Sequence, residues 1–77
     1  MDNLLKFILE NIVKNPESIE IESVEQSGDE ILYKVTLAQD DKGIVIGKGG
    51  KNIQSIRNLL NIAARNQNKR IFIKIED

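Results

Sequence analysis

Apolar residues recur along this chain at two different spacings. Leu4, Ile8 and Ile12 repeat every four residues and are joined by Leu5, Leu9 and Val13, a pattern that predicts an amphipathic helix over residues 3–14. Asp2 or Asn3 can cap it, and Glu10 and Lys14 are spaced as an i,i+4 pair on its wet side. Asn15-Pro16 stops it, because the residue before a proline is pushed out of the helical region. The period then changes to two. Ile19 and Ile21 alternate with Glu20 and Glu22, and Val24 breaks the parity, which predicts a strand with a bulge or bend near Val24. Ser27-Gly28-Asp29 supplies turn chemistry. Beyond it, Ile31, Tyr33, Val35 and Leu37 alternate with Leu32, Lys34, Thr36 and Ala38, so the odd positions face a core and the two strands form an antiparallel hairpin.

The second half returns to helical spacing. Asp40-Asp41 offers caps for a short turn through Ile44, Val45 and Ile46, and four residues rich in glycine follow at 47–50. A longer helix is expected from Lys51 to Asn66, with Ile53, Ile56, Leu59 or Leu60, and Ala63 on its inner stripe, ended by Gln67-Asn68. A last strand, Arg70 to Glu76, puts Ile71, Ile73 and Ile75 on one face and Phe72 and Lys74 on the other. The order is helix, strand, strand, helix, helix, strand. Two helices between the second and third strands give a crossover long enough for parallel pairing. The expected fold class is α+β: a three-stranded mixed sheet, the second strand central, with the helices on one face. No repeat, linker or low-complexity segment interrupts it, and residues 1–77 read as one domain.

Composition narrows the chemistry. With no cysteine and no histidine, disulfides, thiolate metal sites and the commonest general base are excluded. No pair of carboxylates is spaced for acid–base work, so an enzyme is not expected, and neither is a cofactor. The N-terminus is acidic where a signal peptide is basic, and Lys6 and Glu10 interrupt the only long apolar stretch. No membrane contact and a cytoplasmic setting are expected. The net charge of −1 hides a division: residues 1–41 hold 3 Lys/Arg against 10 Asp/Glu, and residues 42–77 hold 8 against 2. A chain so divided can present a basic face to phosphate while staying soluble. The bland alternative is a solvated surface with no preference for a partner.

Gly47-Lys48-Gly49-Gly50 needs a reason, since glycine in helical positions costs roughly 1 kcal/mol against alanine. Lacking a Cβ, such a loop lets a phosphodiester approach the backbone and takes positive φ where the chain turns. The helix that follows aims unpaired N–H groups and its positive dipole end at the same place. Lys48 and Lys51 add charge. A Walker A loop fails on spacing, because only three residues separate Gly43 from Gly47 and Gly49 stands where Ser/Thr is required. A dinucleotide fingerprint fails because Asn52 occupies its third glycine position. A tight corner with no ligand is the structural alternative.

The stretch Ile44-Val45-Ile46-Gly47-Lys48-Gly49-Gly50-Lys51-Asn52-Ile53 resembles the KH signature, V-I-G-x-x-G-x-x-I between two helices. The order of elements is similar to the type II KH arrangement over nearly the whole chain, and in length it resembles the small single-domain bacterial KH proteins of the KhpA family. That resemblance implies a clamp for about four nucleotides of single-stranded RNA, with the loop on the backbone and an aliphatic groove for the bases. Gly47 and Gly50 match the framing glycines, and Lys48 and Gly49 match the variable pair. Lys51 adds charge in the first helical turn. Ile44, Ile46 and Ile53 stand where groove or underlying core is built, and periodicity alone leaves open which faces RNA. Arg57, about a turn beyond Ile53, is within reach of a base or phosphate, or is simply solvated.

The only aromatic residues are Phe7, Tyr33 and Phe72, too few for the stacking platforms of RNA-recognition motifs or OB-folds. With about two to four phosphates contacted, binding is expected to be roughly micromolar or weaker and to fall with salt at a log–log slope of about −0.7 per contact. An RNA chaperone or post-transcriptional regulator is the expected role. The alternative is a protein-interaction module, favoured by the acidic first half, the wide apolar face of the first helix, and Leu32 and Phe72 on the outer sheet face. The resemblance further implies self-association as a homodimer, or pairing with a larger KH-containing protein.

Overall fold

The structure is a computed structural model and describes residues 2–76; Met1 and Asp77, the ends of the one-domain reading, lie outside it. Helix α1 (Asp2–Glu10) leads through a short 3₁₀ turn to strands β1 (Glu20–Ser27) and β2 (Glu30–Thr36). Helices α2 (Lys42–Ile46) and α3 (Lys51–Ala63) precede the last strand, β3 (Arg70–Ile75). The sheet order is β1–β2–β3. β1 pairs with β2 antiparallel and β2 with β3 parallel. This is the α+β, KH-like architecture expected from the sequence, with the second strand central.

The odd positions of the sheet face the helices. Tyr33, Val35 and Ile71 join Leu5 and Leu9 of α1, Val45 of α2, and Ile56, Leu60 and Ala64 from α3 and its end in one buried cluster. Fully burying each large aliphatic side chain contributes roughly 1.5–3 kcal/mol, so this cluster holds the helices to one face. Burial also pushes the Tyr33 hydroxyl up to about 12, helped by the carboxylate of Asp2. The inner stripe of α3 is Ile53, Ile56 and Leu60, continued by Ala64 just past its end. Leu59 is 54% exposed, and Ala63, expected inside, faces solvent.

Val24 does not bulge. The pairing stays regular from Glu20↔Thr36 to Glu25↔Ile31 and slips at Gln26, before Ser27↔Glu30. Val24 instead lies on the outer face opposite Leu32, which is itself the partner of Phe72. The parity break therefore marks an apolar row across all three strands.

Helix α1 is shorter than its apolar period. Its last turn tightens as the Asn11 and Ile12 N–H groups donate to the Ile8 and Leu9 carbonyls at 3.2 and 3.0 Å. The Val13 N–H still donates to the Leu9 carbonyl at 3.0 Å, but the two after it leave the helix altogether: Lys14 and Asn15 donate to the two carboxylate oxygens of Asp41 at 3.0 and 2.9 Å, and the Asn15 side-chain amide adds a third bond at 3.0 Å. Lys14 is thus off the helix and makes no pair with Glu10; the one ion pair among the described residues is Arg70–Glu30. Asp41 makes no capping bond to α2 either. It is fully buried, and its work is to tie the exit of α1 to the entrance of α2. Burial alone would raise its pKa. The N–H donors of Lys14 and Asn15, the Asn15 amide and the Lys14 charge outweigh that and hold it below the ordinary value of 3.8.

Helix α3 ends at Ala63, short of Asn66, and a 3₁₀ turn at Arg65–Gln67 closes on Asn68 in the left-handed region, φ 55°. The sheet order converts the charge division of the sequence into a spatial one. Exposed Glu20, Glu22 and Glu25 line the β1 edge, and Arg70 and Lys74 lie on β3 at the opposite edge. No helix among the described residues is long and apolar enough to cross a membrane.

Candidate nucleic-acid interface

The loop between α2 and α3 is built on three glycines with positive φ. Gly47 ends α2, its N–H donating to the Gly43 carbonyl at 2.9 Å, and then turns out at φ 76°, ψ 168°, a region essentially reserved for glycine. The Gly50 N–H donates to the Gly47 carbonyl at 3.0 Å, closing a single 3₁₀ turn over Lys48–Gly50. Gly49 and Gly50 sit at φ 65° and 78°. Lys48 and Gly49 at the tip are exposed, as is Lys51. Gly50 precedes α3 without a side-chain cap; the Lys51 N–H donates back to the Lys48 carbonyl, and the N–H groups that follow it in the first turn of this 13-residue helix have no side-chain cap and are directed toward the loop. Backbone donors, the positive end of a helix dipole and two exposed lysines lie together at this loop, which suits an anion.

Asn52 fixes the loop from behind. Its side-chain amide donates to the Ile44 carbonyl at 2.8 Å, joining the first turn of α3 to the last turn of α2 across the glycines. In the sequence Asn52 served only to break a dinucleotide fingerprint. A polar residue in a first helical turn looks like surface, and nothing local marks it as a latch.

The isoleucines separate. Ile53 is half-buried and packs against the core cluster. Val45, between Ile44 and Ile46, is the fully buried residue of α2. Ile44 is half-buried outside that cluster and Ile46 is exposed beside the loop. Two aliphatic side chains thus remain near the glycines for apolar contact. Arg57 is farther off, six residues past Lys51, or roughly 9 Å along the helix at 1.5 Å per residue. It is half-buried on the flank of α3 that faces β3. On that flank Asn61 grips the edge strand: its Oδ1 accepts from the Ile71 N–H at 2.8 Å and its amide donates to the Ile71 carbonyl at 3.1 Å. Asn61 too was unremarked in the sequence. Among the described residues no cluster of side chains is placed to hold a metal ion.

Known proteins supply the last observation. The profile of the family described as "KhpA/KhpB, KH domain" matches residues 2–75. The RNA-binding protein KhpA of Chlamydia caviae is 37% identical over 75 residues, covering 97% of this chain and 95% of that protein. The RNA-binding protein KhpA of Thermotoga maritima is likewise 37% identical, covering 97% of each. That of Caldanaerobacter subterraneus is 35% identical, covering 97% of this chain and 99% of its own.

Proposed function

This chain belongs to the KhpA/KhpB KH-domain family, and on that footing we propose that it binds single-stranded RNA without catalysing a reaction on it, as one KH domain working in the cytoplasm. The Gly47–Gly50 loop clamps the phosphate backbone, with Lys48 and Lys51 supplying charge. Ile44 and Ile46 meet the bases, Ile53 supports them from the core, and Arg57 contacts the strand farther along α3. The observation that carries this reading is the loop itself: three positive-φ glycines in front of an uncapped helix. Few phosphates are within reach of so small a site, so the binding is weak and salt-sensitive. Weak, broad binding of this kind fits an RNA chaperone or post-transcriptional regulator.

A second reading, a module acting mainly through a homodimer or a larger KH partner, is favoured by one observation. Phe7 is 63% exposed on α1 and Ile62 60% exposed on α3, helices that pack side by side. The test is the double substitution Lys48→Asp with Gly49→Asp. Nothing lies within 4 Å of a Cβ at Gly49, and Asp tolerates the left-handed region better than most residues, so the fold should survive. RNA recovered by crosslinking in cells should collapse while circular dichroism and the melting point stay near wild type. Undiminished recovery from the folded variant would sink the loop's role. No RNA on either protein, with a KH partner still co-purifying, would transfer the function to protein contacts.

A further inference from the structure

Strand β1 has one neighbour, β2, and leaves its other side open. The register tells which backbone groups lie on that side. The Glu76 N–H donates to the Val35 carbonyl, so the odd positions of β2 turn their backbone groups toward β3 and the even ones toward β1. Leu32, Lys34 and Thr36 are the partners of Val24, Glu22 and Glu20. The N–H and C=O groups of Ile21, Ser23 and Glu25 therefore point away from the sheet. Among the described residues no loop takes them up, and no side chain does for them what Asn61 does for Ile71 at the opposite edge.

The edge is also regular. Pairing runs without a slip from Glu20 to Glu25 and no proline interrupts it, so the backbone offers no obstacle to an added strand. The side chains select what is added. Glu20 and Glu22 stand two apart on the outer sheet face, Glu25 lies on the helix side, and all three are exposed. Lys34, across from Glu22, is the only cation on β2, and it forms no ion pair there. A second copy paired through β1 would gather six carboxylates, three from each copy, on adjacent strands, where like charges are destabilising. A nucleic acid meets the same repulsion. Ile21, between Glu20 and Glu22, is half-buried against the core cluster. A strand laid beside β1 thus meets carboxylates on one face and an aliphatic side chain on the other. The segment that fits is extended, with Lys or Arg at alternate positions and β-branched residues between them.

We propose that the β1 edge is a docking site for a basic extended segment of another protein, which joins the sheet as a fourth strand. The test uses the full chain and a labelled Lys-Val-Lys-Val-Lys-Val peptide with both ends blocked, followed by fluorescence anisotropy. This peptide should bind, and its Glu-Val-Glu-Val-Glu-Val counterpart should not. Hydrogen exchange should slow at the Ile21, Ser23 and Glu25 amides and stay unchanged at Glu22 and Val24, whose N–H groups already face β2. Glu20→Gln with Glu22→Gln, at two exposed positions, keeps the fold and should weaken the peptide roughly five-fold, the worth of two cross-strand charge pairs. No binding of the lysine peptide, or an affinity untouched by the double substitution, overturns the proposal. Binding without slower exchange at Ile21, Ser23 and Glu25 does so as well, because it is charge attraction with no added strand. Slowing at those amides that appears without peptide and grows with protein concentration gives the edge to a second copy, and the proposal falls.

Discussion

The space that a side chain at Gly47 would need is already filled by Asn52. A Cβ on Gly47 would lie 2.7 Å from the Asn52 Cγ and 2.8 Å from both its Cβ and its backbone nitrogen, closer than real Cβ atoms come. The same Asn52 holds the Ile44 carbonyl. The first glycine of the loop is therefore required twice over, by its own φ of 76° and by the latch packed against it. Gly49 and Gly50 have positive φ but open space around them.

Alanine substitutions should reproduce that order. Gly47→Ala is expected to cost about 3 kcal/mol, from a glycine-only backbone region plus a contact that must shift. Gly49→Ala should cost about 1 kcal/mol, the ordinary penalty of the left-handed region. Adding Asn52→Gly to Gly47→Ala should restore only part of the loss, since the backbone nitrogen at 2.8 Å stays in place. Urea denaturation of the three variants measures this. Equal costs at Gly47 and Gly49 would mean that Asn52 does not constrain the loop.

What the sequence revealed of this fold follows from the range of each interaction. Periods of two and of about four come from one-sided burial of each element, so the strands, α3 and the glycine loop were all legible. The end of α1 was not, because the apolar period runs on to Val13 while the backbone is captured by Asp41, 26 residues farther on from Asn15. The roles of Ile44 and Ile46 were hidden because α2 has only five residues, too few for a period to show which side is buried. Asn52 and Asn61 read as surface because amides that bond to distant carbonyls leave no pattern in their neighbours.

Asn61 offers a separable test of the β3 edge. The Arg70 N–H donates to the carbonyl of Asp29, just ahead of β2, and the Glu76 N–H to that of Val35 within it, so by alternation the N–H and C=O of Ile71 point out from the sheet. Asn61 satisfies both, blunting an edge that could otherwise pair with another chain. Asn61→Ala should cost about 1–2 kcal/mol and speed hydrogen exchange at the Ile71 amide. Asn61→Asp keeps the acceptor and loses the donor. It should still protect the Ile71 amide while setting a carboxylate against the Ile71 carbonyl, so stability should fall. Fast exchange at Ile71 in the aspartate variant would show that the Oδ1 contact is not what protects it.

Asp41 makes stability depend on pH in a direction its contacts fix. Its carboxylate is buried yet held below the ordinary 3.8 by the donors of Lys14 and Asn15. A depressed folded-state pKa means that the unfolded chain takes up the proton first as pH falls. The stabilisation is therefore complete above the unfolded value and is lost as pH drops through the folded one. Asp41→Asn removes the charge and turns an N–H donor toward other N–H donors, so at neutral pH the melting point should drop by on the order of 5 °C or more. Below about pH 4 the gap between the two proteins should narrow, because wild type loses what the variant never had. Melting curves from pH 7 down to pH 3 read this directly. A gap that stays constant through the acid range would mean that the Asp41 charge does not hold α1 to α2, and that the neutral shape of the side chain is enough.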